Sequence, residues 1–181
     1  MFQLENFRPI ENTLLLIDLF RVRVALNYPP NKPVTRYREN AQMAYWLFKS
    51  EPGTWSWDNQ VKRGELGEGW DGVRNYQAAN NMKAMKIGDL GFFYHSVNEK
   101  QIVGIVEVIE EYHPDDTDAS DRFGMVTVKA VRPFNRPVTL AEVKADERLA
   151  EFGLVRQSRL SVVPVTKAQW AMLCAMGQTR T

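Results

Sequence analysis

The sequence predicts a mainly β protein with helices, of the α+β class, whose strands form one small curled sheet or pseudobarrel. Five short apolar segments follow Met43, and polar residues, Gly or Pro bound them, as is typical of strands. Two capping-box sequences mark helix starts among the later segments. Short strands with interspersed helices favour a curled sheet over a doubly wound parallel sheet.

The strands are predicted from the spacing of apolar residues. In the fourth segment, Val126, Val128 and Ala130 alternate with polar residues, which predicts a half-buried strand. The third segment is apolar on both faces and should lie at the centre of the sheet. Asn98–Lys100 joins the second and third segments as a hairpin turn. In order, the predicted strands are Tyr45–Lys49, Leu90–His95, Gln101–Ile109, Phe123–Val131 and Arg159–Val165.

Helices are predicted between and after these strands. Thr139 precedes Glu142, and Thr166 precedes Gln169, at the spacing of a capping box, in which each side chain satisfies a free backbone N–H of the other residue. A further helix is predicted over Tyr76–Met85, ending before a Gly-Asp pair. We expect these helices to lie at the periphery of the sheet.

The sequence changes character at Met43. Before it, the apolar stretch Leu14–Phe20 is interrupted by Asp18 and followed by a Pro-rich, linker-like piece. The stretch has no basic start and no A-x-A cleavage site, so no secretory signal peptide is predicted. We expect residues 1–42 to be an N-terminal extension or linker, or sequence upstream of the true start, and residues 43–181 to form a single domain.

The composition excludes several classes of protein. With 181 residues, 44% of them hydrophobic, the chain can bury a core and is not disordered throughout. Its one cysteine, Cys174, cannot form an internal disulfide, and 2 histidines leave little for a zinc site. The sequence contains no run of about 18 apolar residues, so no membrane span is predicted. We expect a cytoplasmic protein, or a nuclear one in a eukaryote, with no membrane, metal or cofactor involved.

The charge balance limits how nucleic acid could be bound. The chain has 23 basic and 22 acidic residues, of which residues 1–42 hold six and four, leaving residues 43–181 with a net charge of −1. Bulk charge therefore does not steer nucleic acid from a distance. Glu107–Asp121 holds seven acids and no Lys or Arg, which indicates a solvated loop that is unfavourable for phosphate. A shaped pocket would have to hold any nucleic acid.

Aromatic residues are concentrated between Met43 and Ser96, which contain ten of the twenty aromatics of the chain. Several must be core residues, but Trp55, Trp57 and Trp70 lie in predicted loops among Gly, Ser and Asp. A loop Trp needs a groove or a site to cover it. A pocket wall and a plain packing role both stay open for each of the three.

Polar residues follow the same segments. Lys49–Glu51 ends the first strand, Arg74–Gln77 opens a helix, and Tyr94–Ser96 ends the second strand. Strand ends and helix starts of one small sheet often meet at one rim. Flat aromatic walls with a few donors and acceptors suit a planar heterocycle. Taken alone, His95 and Arg74 are equally compatible with structural roles.

Other chemistry is suggested only weakly. Gly67–Gly72 matches G-x-G-x-x-G, but no strand precedes it and acids inside it would repel phosphate. Ser50 with His95 and Glu51 could suggest acyl transfer, but no nucleophile elbow surrounds Ser50. The H-x-E and P-C-x-x-C elements of zinc deaminases are absent from the sequence.

Blocks of the sequence resemble the EVE domain family. The resemblance covers about residues 43–176, with the blocks in the right order. They are Tyr45–Pro52 (YWLFKSEP), Trp70–Ala78 (WDGVRNYQA), Gly88–Ser96 (GDLGFFYHS), Gly104–Val108, Arg136–Val138 and Ser158–Val165. One departure concerns a loop in which relatives often have Arg-Gly, whereas this chain has Arg156-Gln157. Because Gln lacks the freedom of glycine at positive φ, the geometry of that loop is open.

The resemblance implies a PUA-like pseudobarrel of about five to six strands with peripheral helices, related to the YTH domains that hold a modified base in an aromatic cage. It also implies a non-catalytic reader that binds nucleic acid carrying a modified base. The favoured ligand is modified cytosine in DNA, and RNA is the alternative partner. By resemblance, the base pocket is assigned to Ser50, Glu51, Trp55, Trp70, Asn75, Tyr76, Tyr94, His95 and Ser96. Phosphate or backbone contacts are assigned to Lys49, Arg74, Ser158 and Arg159.

The expected mechanism is capture without chemistry, in which a nucleotide leaves its stack and its base is held between aromatic side chains. Trp70→Ala and Asn75→Ala are expected to abolish binding while leaving the thermal midpoint nearly unchanged. Two other functions stay open. One is an enzyme that acts on a modified nucleotide through Glu51 or His95, and the other is a peptide-binding module anchored by Trp55 and Trp70.

Overall fold

The computed structural model describes residues 43–181, and the predicted extension over residues 1–42 lies outside the described residues. The strands are β1 (Tyr45–Ser50), β2 (Glu68–Gly69), β3 (Leu90–His95), β4 (Gln101–Pro114), β5 (Gly124–Thr139) and β6 (Val162–Val165). The helices are α1 (Trp57–Lys62), α2 (Tyr76–Ala84), α3 (Leu140–Ala145), α4 (Gly153–Arg156) and α5 (Lys167–Met176). Short 3-10 turns cover Gly64–Leu66 and Glu147–Leu149.

The six strands form one mixed sheet in the order β2-β5-β4-β3-β1-β6. Strands β1 and β3 are parallel, and α1, β2 and α2 form the long connection that a parallel pair requires; every other neighbouring pair is antiparallel. In the parallel pair, Ser50 lies opposite His95. The polar ends of the two strands, Lys49–Glu51 and Tyr94–Ser96, are therefore side by side.

Strands β4 and β5 curve the sheet. Their pairing shifts register at several points, among them between Ile102 and Gly104 and between Val108 and Glu110. Each shift leaves one or more residues without a partner, which bends the strand and increases its twist. As a result, one end of β5 pairs with β2 and the other end leads into α3.

The predicted α+β class is confirmed, and the structure corrects the bounds of several elements. β4 and β5 are longer than predicted, because paired backbone continues past polar residues and past Pro133 and Pro137. The predicted strand Arg159–Val165 is shorter, beginning at Val162. The two-residue β2 and the short α1 were missed, because segments of this length carry no periodic signal.

The helix starts follow the predicted side-chain pattern. Thr139 with Glu142 and Thr166 with Gln169 form complete capping boxes at the start of α3 and of α5, as predicted. Helix α2 occupies Tyr76–Ala84, close to its predicted range. None of the helices described is long and apolar enough to cross a membrane.

Aromatic residues fill the core on both faces of β3. On one face, Trp170 of α5 stacks on Phe92 at 4.1 Å and on Tyr45 at 4.4 Å between ring centroids. On the other face, Phe93 receives the edges of Trp57 and Trp70, each with a centroid separation of 5.5 Å. Two of the three loop tryptophans are therefore packed against β3.

The indole of Trp57 lies against the backbone of Gly104 at the centre of the sheet. A Cβ atom at this glycine would overlap with the indole ring of Trp57, so only a glycine leaves room for the ring. This contact brings α1 close to the sheet and directs the segment that follows β1 across the end of β3.

Candidate functional site

A cavity of about 400 Å³ lies at the carboxyl end of β1. Three pieces of chain enclose it: the end of β1, the turn before α1, and β2 with the residues that follow it. The lining residues are Lys49, Ser50, Glu51, Thr54, Trp55, Glu68, Gly69, Trp70 and Asp71. Five of the thirteen predicted site residues are thus brought together here: Lys49, Ser50, Glu51, Trp55 and Trp70.

Trp70 is a fixed wall of the cavity, with only 8% of its surface exposed. Its ring packs edge-on against Phe48, at 5.0 Å between centroids, and against Phe93. Its backbone N–H donates a 2.7 Å hydrogen bond to the carbonyl oxygen of Val126 in β5. The ring is held from behind by core aromatics, which limits its rotation.

Trp55 forms a second aromatic wall at the turn before α1. Its indole Nε1 donates to Oε1 of Gln60 at 2.9 Å, and its backbone N–H donates to the carbonyl oxygen of Glu51 at 2.8 Å. The hydroxyl of Ser50 donates to the carbonyl oxygen of Trp55 at 2.7 Å. Both the backbone and the ring of Trp55 are thereby fixed.

Lys49 connects the cavity to the loop after α4. Its Nζ donates to the carbonyl oxygens of Gln157, at 3.2 Å, and of Ser158, at 3.1 Å. Burial lowers the pKa of Lys49 to about 8. Gln157 itself has a φ of −123°, so this loop does not require the glycine found in relatives.

Carboxylates dominate the charge of the cavity. Glu51, Glu68 and Asp71 contribute acceptor oxygens, and Glu68 is paired with Arg63. Lys49 is the single cation among the lining residues. Such a lining favours ligand groups that donate hydrogen bonds and disfavours a phosphate inside the cavity.

Two predicted pocket residues at the end of β3, His95 and Ser96, support the cavity from outside. His95 is buried, its Nε2 accepts from the backbone N–H of Trp57 at 3.0 Å, and its Nδ1 lies 2.6 Å from Oε2 of Glu99. This pairing assigns the ring proton to Nδ1, and it lowers the pKa of Glu99. Ser96 donates its N–H and its hydroxyl to the carbonyl oxygen of Ser50, at 2.7 and 3.0 Å.

Tyr94 also lies outside the cavity lining. It is 3% exposed, and burial raises the pKa of its phenol to about 12. Because strand residues alternate between faces, Tyr94 faces the same side as Phe92, away from Phe93 and Trp70.

The predicted residues of the α2 start form a separate group. Arg74 donates to Oδ2 of Asp115 at 2.7 Å and to the hydroxyl of Thr117 at 2.9 Å. Burial would raise the pKa of Asp115, but hydrogen bonds from Thr117, Arg74 and Gly72 lower it to about 2. The acidic loop is therefore folded around Arg74, in contrast with the solvated loop that its composition predicts.

Asn75 and Tyr76 start α2 outside the cavity. The Asn75 side chain caps the helix by accepting from the backbone N–H of Ala78 at 3.0 Å. Tyr76 is 64% exposed, and its ring lies 5.0 Å from that of Phe123 between centroids. The assignment of these residues to a base pocket stays a prediction, and in this structure Asn75 caps α2 while Tyr76 contacts Phe123, which lies just before β5.

Ser158 and Arg159 lie in the exposed loop that Lys49 contacts. Within residues 43–181, Arg159 takes part in no ion pair. Thr54, Glu68, Asp71 and the supporting residue Gln60 were missed by sequence reasoning. Glu68 and Asp71 flank Trp70 closely enough to have been candidates, whereas nothing in the sequence singles out Gln60.

Residues 43–181 contain no cluster of three or more His, Cys, Asp or Glu side chains that could hold a metal ion. The single thiol, that of Cys174, is buried, and burial raises its pKa to about 11. It is therefore a poor nucleophile and a poor ligand.

Comparison with known proteins identifies the family. The EVE domain model matches residues 44–176. Mouse thymocyte nuclear protein 1 is 33% identical over 168 residues, which cover 75% of this chain and 74% of that protein. A solved structure from Rhodopseudomonas palustris is 55% identical with a TM-score of 0.72, covering 75% of this chain and 94% of that one.

A further structure is that of the human THYN1 protein in complex with DNA that contains 5-methylcytosine. It is 30% identical to this chain, with a TM-score of 0.69, and the match covers 76% of this chain and 99% of that one. These matches also confirm the PUA-like fold that the sequence resemblance implies. The chain belongs to the EVE domain family.

Proposed function

We propose that this protein binds a modified base of nucleic acid in the cavity at the end of β1 and leaves the base chemically unchanged. The favoured ligand is a modified cytosine in DNA. The observation that carries the proposal is the cavity of about 400 Å³ with Trp55 and Trp70 in its lining. Small-ligand sites typically have volumes of roughly 300–1,000 Å³. A cavity of this volume has room for a single base that has left its stack.

The aromatic walls supply stacking energy. Each base that stacks on an aromatic side chain contributes about 1–3 kcal/mol. The ring of Trp70 is held by Phe48 and Phe93, so little conformational entropy is lost when a ligand contacts it. This energy offsets the few kcal/mol that are needed to take a nucleotide out of a duplex.

The polar lining supports cytosine. The exocyclic amino group of cytosine donates hydrogen bonds, and Asp and Glu are its usual acceptors. Glu51 and Asp71 supply such acceptors in the cavity, and Lys49 supplies a donor for the carbonyl oxygen or the acceptor ring nitrogen of the base. Thymine and uracil have no amino group and would place a carbonyl oxygen against the carboxylates.

The contacts of Ser50 and His95 favour binding over chemistry. The hydroxyl of Ser50 donates to the carbonyl oxygen of Trp55, and both ring nitrogens of His95 are engaged, by Trp57 and by Glu99. A histidine that acts as a general base needs a free ring nitrogen within reach of the proton that it removes. Further support comes from the human THYN1 protein, a relative whose structure contains 5-methylcytosine DNA.

The test is a binding series with the full chain. Short labelled oligonucleotides carrying cytosine, 5-methylcytosine, 5-hydroxymethylcytosine or N6-methyladenine are titrated as DNA and as RNA, at two salt concentrations. We expect preference for one modified cytosine with a shallow salt dependence. One buried methyl group contributes only about 1 kcal/mol, so the preference should be roughly tenfold or less.

Matched variants show where binding occurs. Trp55→Leu should remove the preference, whereas Ile87→Thr should retain it, because Ile87 is exposed and precedes β3 at the end opposite the cavity. Equal binding of every oligonucleotide, or none, overturns the proposal and leaves the cavity to a peptide or a small molecule. A mass change in the recovered oligonucleotide would overturn the absence of chemistry.

A further inference from the structure

We infer that Gln60 is a positioning residue for base binding, acting through Trp55, whose ring it holds as a wall of the cavity. The inference rests on the proposed function and deepens it. Gln60 is not among the cavity-lining residues, and its side chain is fully buried, with 0% of its surface exposed.

Both ends of the Gln60 carboxamide are engaged. Oε1 accepts the indole N–H of Trp55 at 2.9 Å, and Nε2 donates to the carbonyl oxygen of Val128 at 2.8 Å. A buried amide is unfavourable unless its donors and acceptors are paired. Because a carboxamide is planar and rigid, these two bonds connect the Trp55 ring to the backbone of β5 at a fixed distance.

The opposite wall is bound to the same stretch of β5. Glu68 of β2 pairs with Val128, and the backbone N–H of Trp70 donates to the carbonyl oxygen of Val126. Both aromatic walls are therefore positioned by residues 126–128, one through strand pairing and the other through Gln60. The spacing between the walls is set before a ligand arrives.

The contact also decides which part of Trp55 a ligand meets. The indole N–H is engaged by a residue outside the cavity lining, so the ring offers carbon atoms, and not its donor, to the cavity. A planar base can stack on such a surface whatever its edge pattern, and the edge is then recognised by other groups. Gln60 thus holds the stacking surface, while the specificity comes from the carboxylates and Lys49.

The first test needs no ligand. Gln60→Met keeps the length of the side chain and removes both hydrogen bonds. In proton–nitrogen NMR spectra, the indole N–H of Trp55, assigned by its loss in Trp55→Phe, should exchange with solvent much faster in Gln60→Met than in wild type. The indole N–H of Trp46, which donates to Asp89 at 3.1 Å in a buried contact, is the internal control and should keep its protection.

The second test is a double-mutant cycle on affinity for a short DNA duplex with one 5-methylcytosine. Gln60→Met should weaken binding roughly tenfold, the scale of one lost base–aromatic stack. In the Trp55→Phe background, the same substitution should change affinity by about twofold or less, because the group through which Gln60 acts is gone. An equal effect in both backgrounds, or unchanged Trp55 protection in Gln60→Met, overturns the inference.

A second variant keeps the test decisive if Gln60→Met does not fold. Gln60→Glu retains an acceptor for the indole N–H but loses the donor to Val128. We expect Trp55 to keep its protection in this variant, and loss of that protection would overturn the inference. If wild-type protein binds all the oligonucleotides equally, or none of them, the proposed function fails, while the exchange data still report on whether Gln60 positions Trp55.

Discussion

The hydroxyl of Ser50 donates a 2.7 Å hydrogen bond to the carbonyl oxygen of Trp55, five residues further along the chain. The carbonyl oxygen of the same serine accepts two hydrogen bonds from Ser96 at the end of β3. Ser50 therefore connects the turn before α1, which carries Trp55, to the ends of the parallel strands β1 and β3. A small, polar side chain at the end of β1 is what permits this connection.

Ser50→Ala should lower the free energy of unfolding by about 1 kcal/mol and weaken binding of the modified base. The carbonyl oxygen of Trp55 loses its donor, and the typical cost of one such hydrogen bond is of this size. Urea denaturation and titration with methylated DNA measure the two effects. The expected loss of affinity is several-fold, since the wall is loosened and not removed.

Ser96→Ala is the matched control for this prediction. It removes one of the two donors to the carbonyl oxygen of Ser50, while the backbone N–H of residue 96 remains as the other. We expect a smaller change in both stability and affinity. If Ser96→Ala weakens binding as much as Ser50→Ala does, the turn to Trp55 is not the element that matters.

Trp70→Ala should destabilise the fold strongly, by about 3–5 kcal/mol, as large-to-small changes in a core do. The sequence-based expectation was an almost unchanged thermal midpoint, and the burial of Trp70 against Phe48 and Phe93 reverses it. Trp70→Phe retains part of the edge contacts and should remain folded. It should lose roughly tenfold in affinity through the smaller stacking surface.

Chemical denaturation and titration of both Trp70 variants check this prediction. Trp170→Phe is a control, because Trp170 is also buried but packs on Phe92 on the other face of β3. It should lose stability without a comparable loss of affinity. A Trp70→Ala protein that melts like wild type would show that the ring contributes little to the core.

Arg74 shows which contacts local sequence signals do not predict. Alternation and capping boxes are local signals, so the strands β1 and β3 and the caps at Thr139 and Thr166 were predictable. The partner of Arg74 is 41 residues away in the chain, and nothing local announces it. The phosphate contact that the resemblance assigns to Arg74 stays a prediction, and in this structure its guanidinium is held by Asp115.

The cavity was predictable in outline and not in its supports. Aromatic density and polar strand ends predicted a pocket, and five of the assigned residues line the cavity. Asn75, in contrast, is a helix cap, and a polar residue before a helix fits both roles equally well in sequence. Gln60 lies in a six-residue helix, too short to have a recognisable buried face.

The stability of the protein should rise with pH above 8 through the titration of Lys49. Its pKa is about 8 in the folded protein, against 10.5 for an unperturbed lysine, so the unfolded chain binds more protons between these values. Stability then increases as the pH rises from about 8 to 10.5 and changes little through this group below 8. The neutral amine keeps two N–H donors, enough for the carbonyl oxygens of Gln157 and Ser158.

Lys49→Met isolates this contribution, because methionine does not titrate and other groups cancel in the difference. Urea denaturation of both proteins at pH 7.5, 9 and 10.5 should show wild type gaining stability relative to the variant as the pH increases. A constant difference across the range would mean that Lys49 is as well solvated in the folded chain as in the unfolded one.

Arg159 and Arg74 should differ in how they affect the salt dependence of DNA binding. Arg159 is exposed in the loop beside Lys49, whereas Arg74 is committed to Asp115 and Thr117. Each phosphate contact contributes about 0.9 to the slope of log affinity against log salt, because binding releases counterions. Arg159→Met should reduce the magnitude of that slope by roughly one.

Arg74→Met should leave the salt slope nearly unchanged and lower stability instead, because Asp115 is buried and loses its charged partner. Fluorescence titrations with methylated DNA at four or five salt concentrations give the slopes, and urea denaturation gives the stabilities. The two arginines carry the same charge, so a long-range electrostatic effect would change both slopes alike. If Arg74→Met reduces the slope and Arg159→Met does not, the DNA backbone crosses the start of α2 and not the loop after α4.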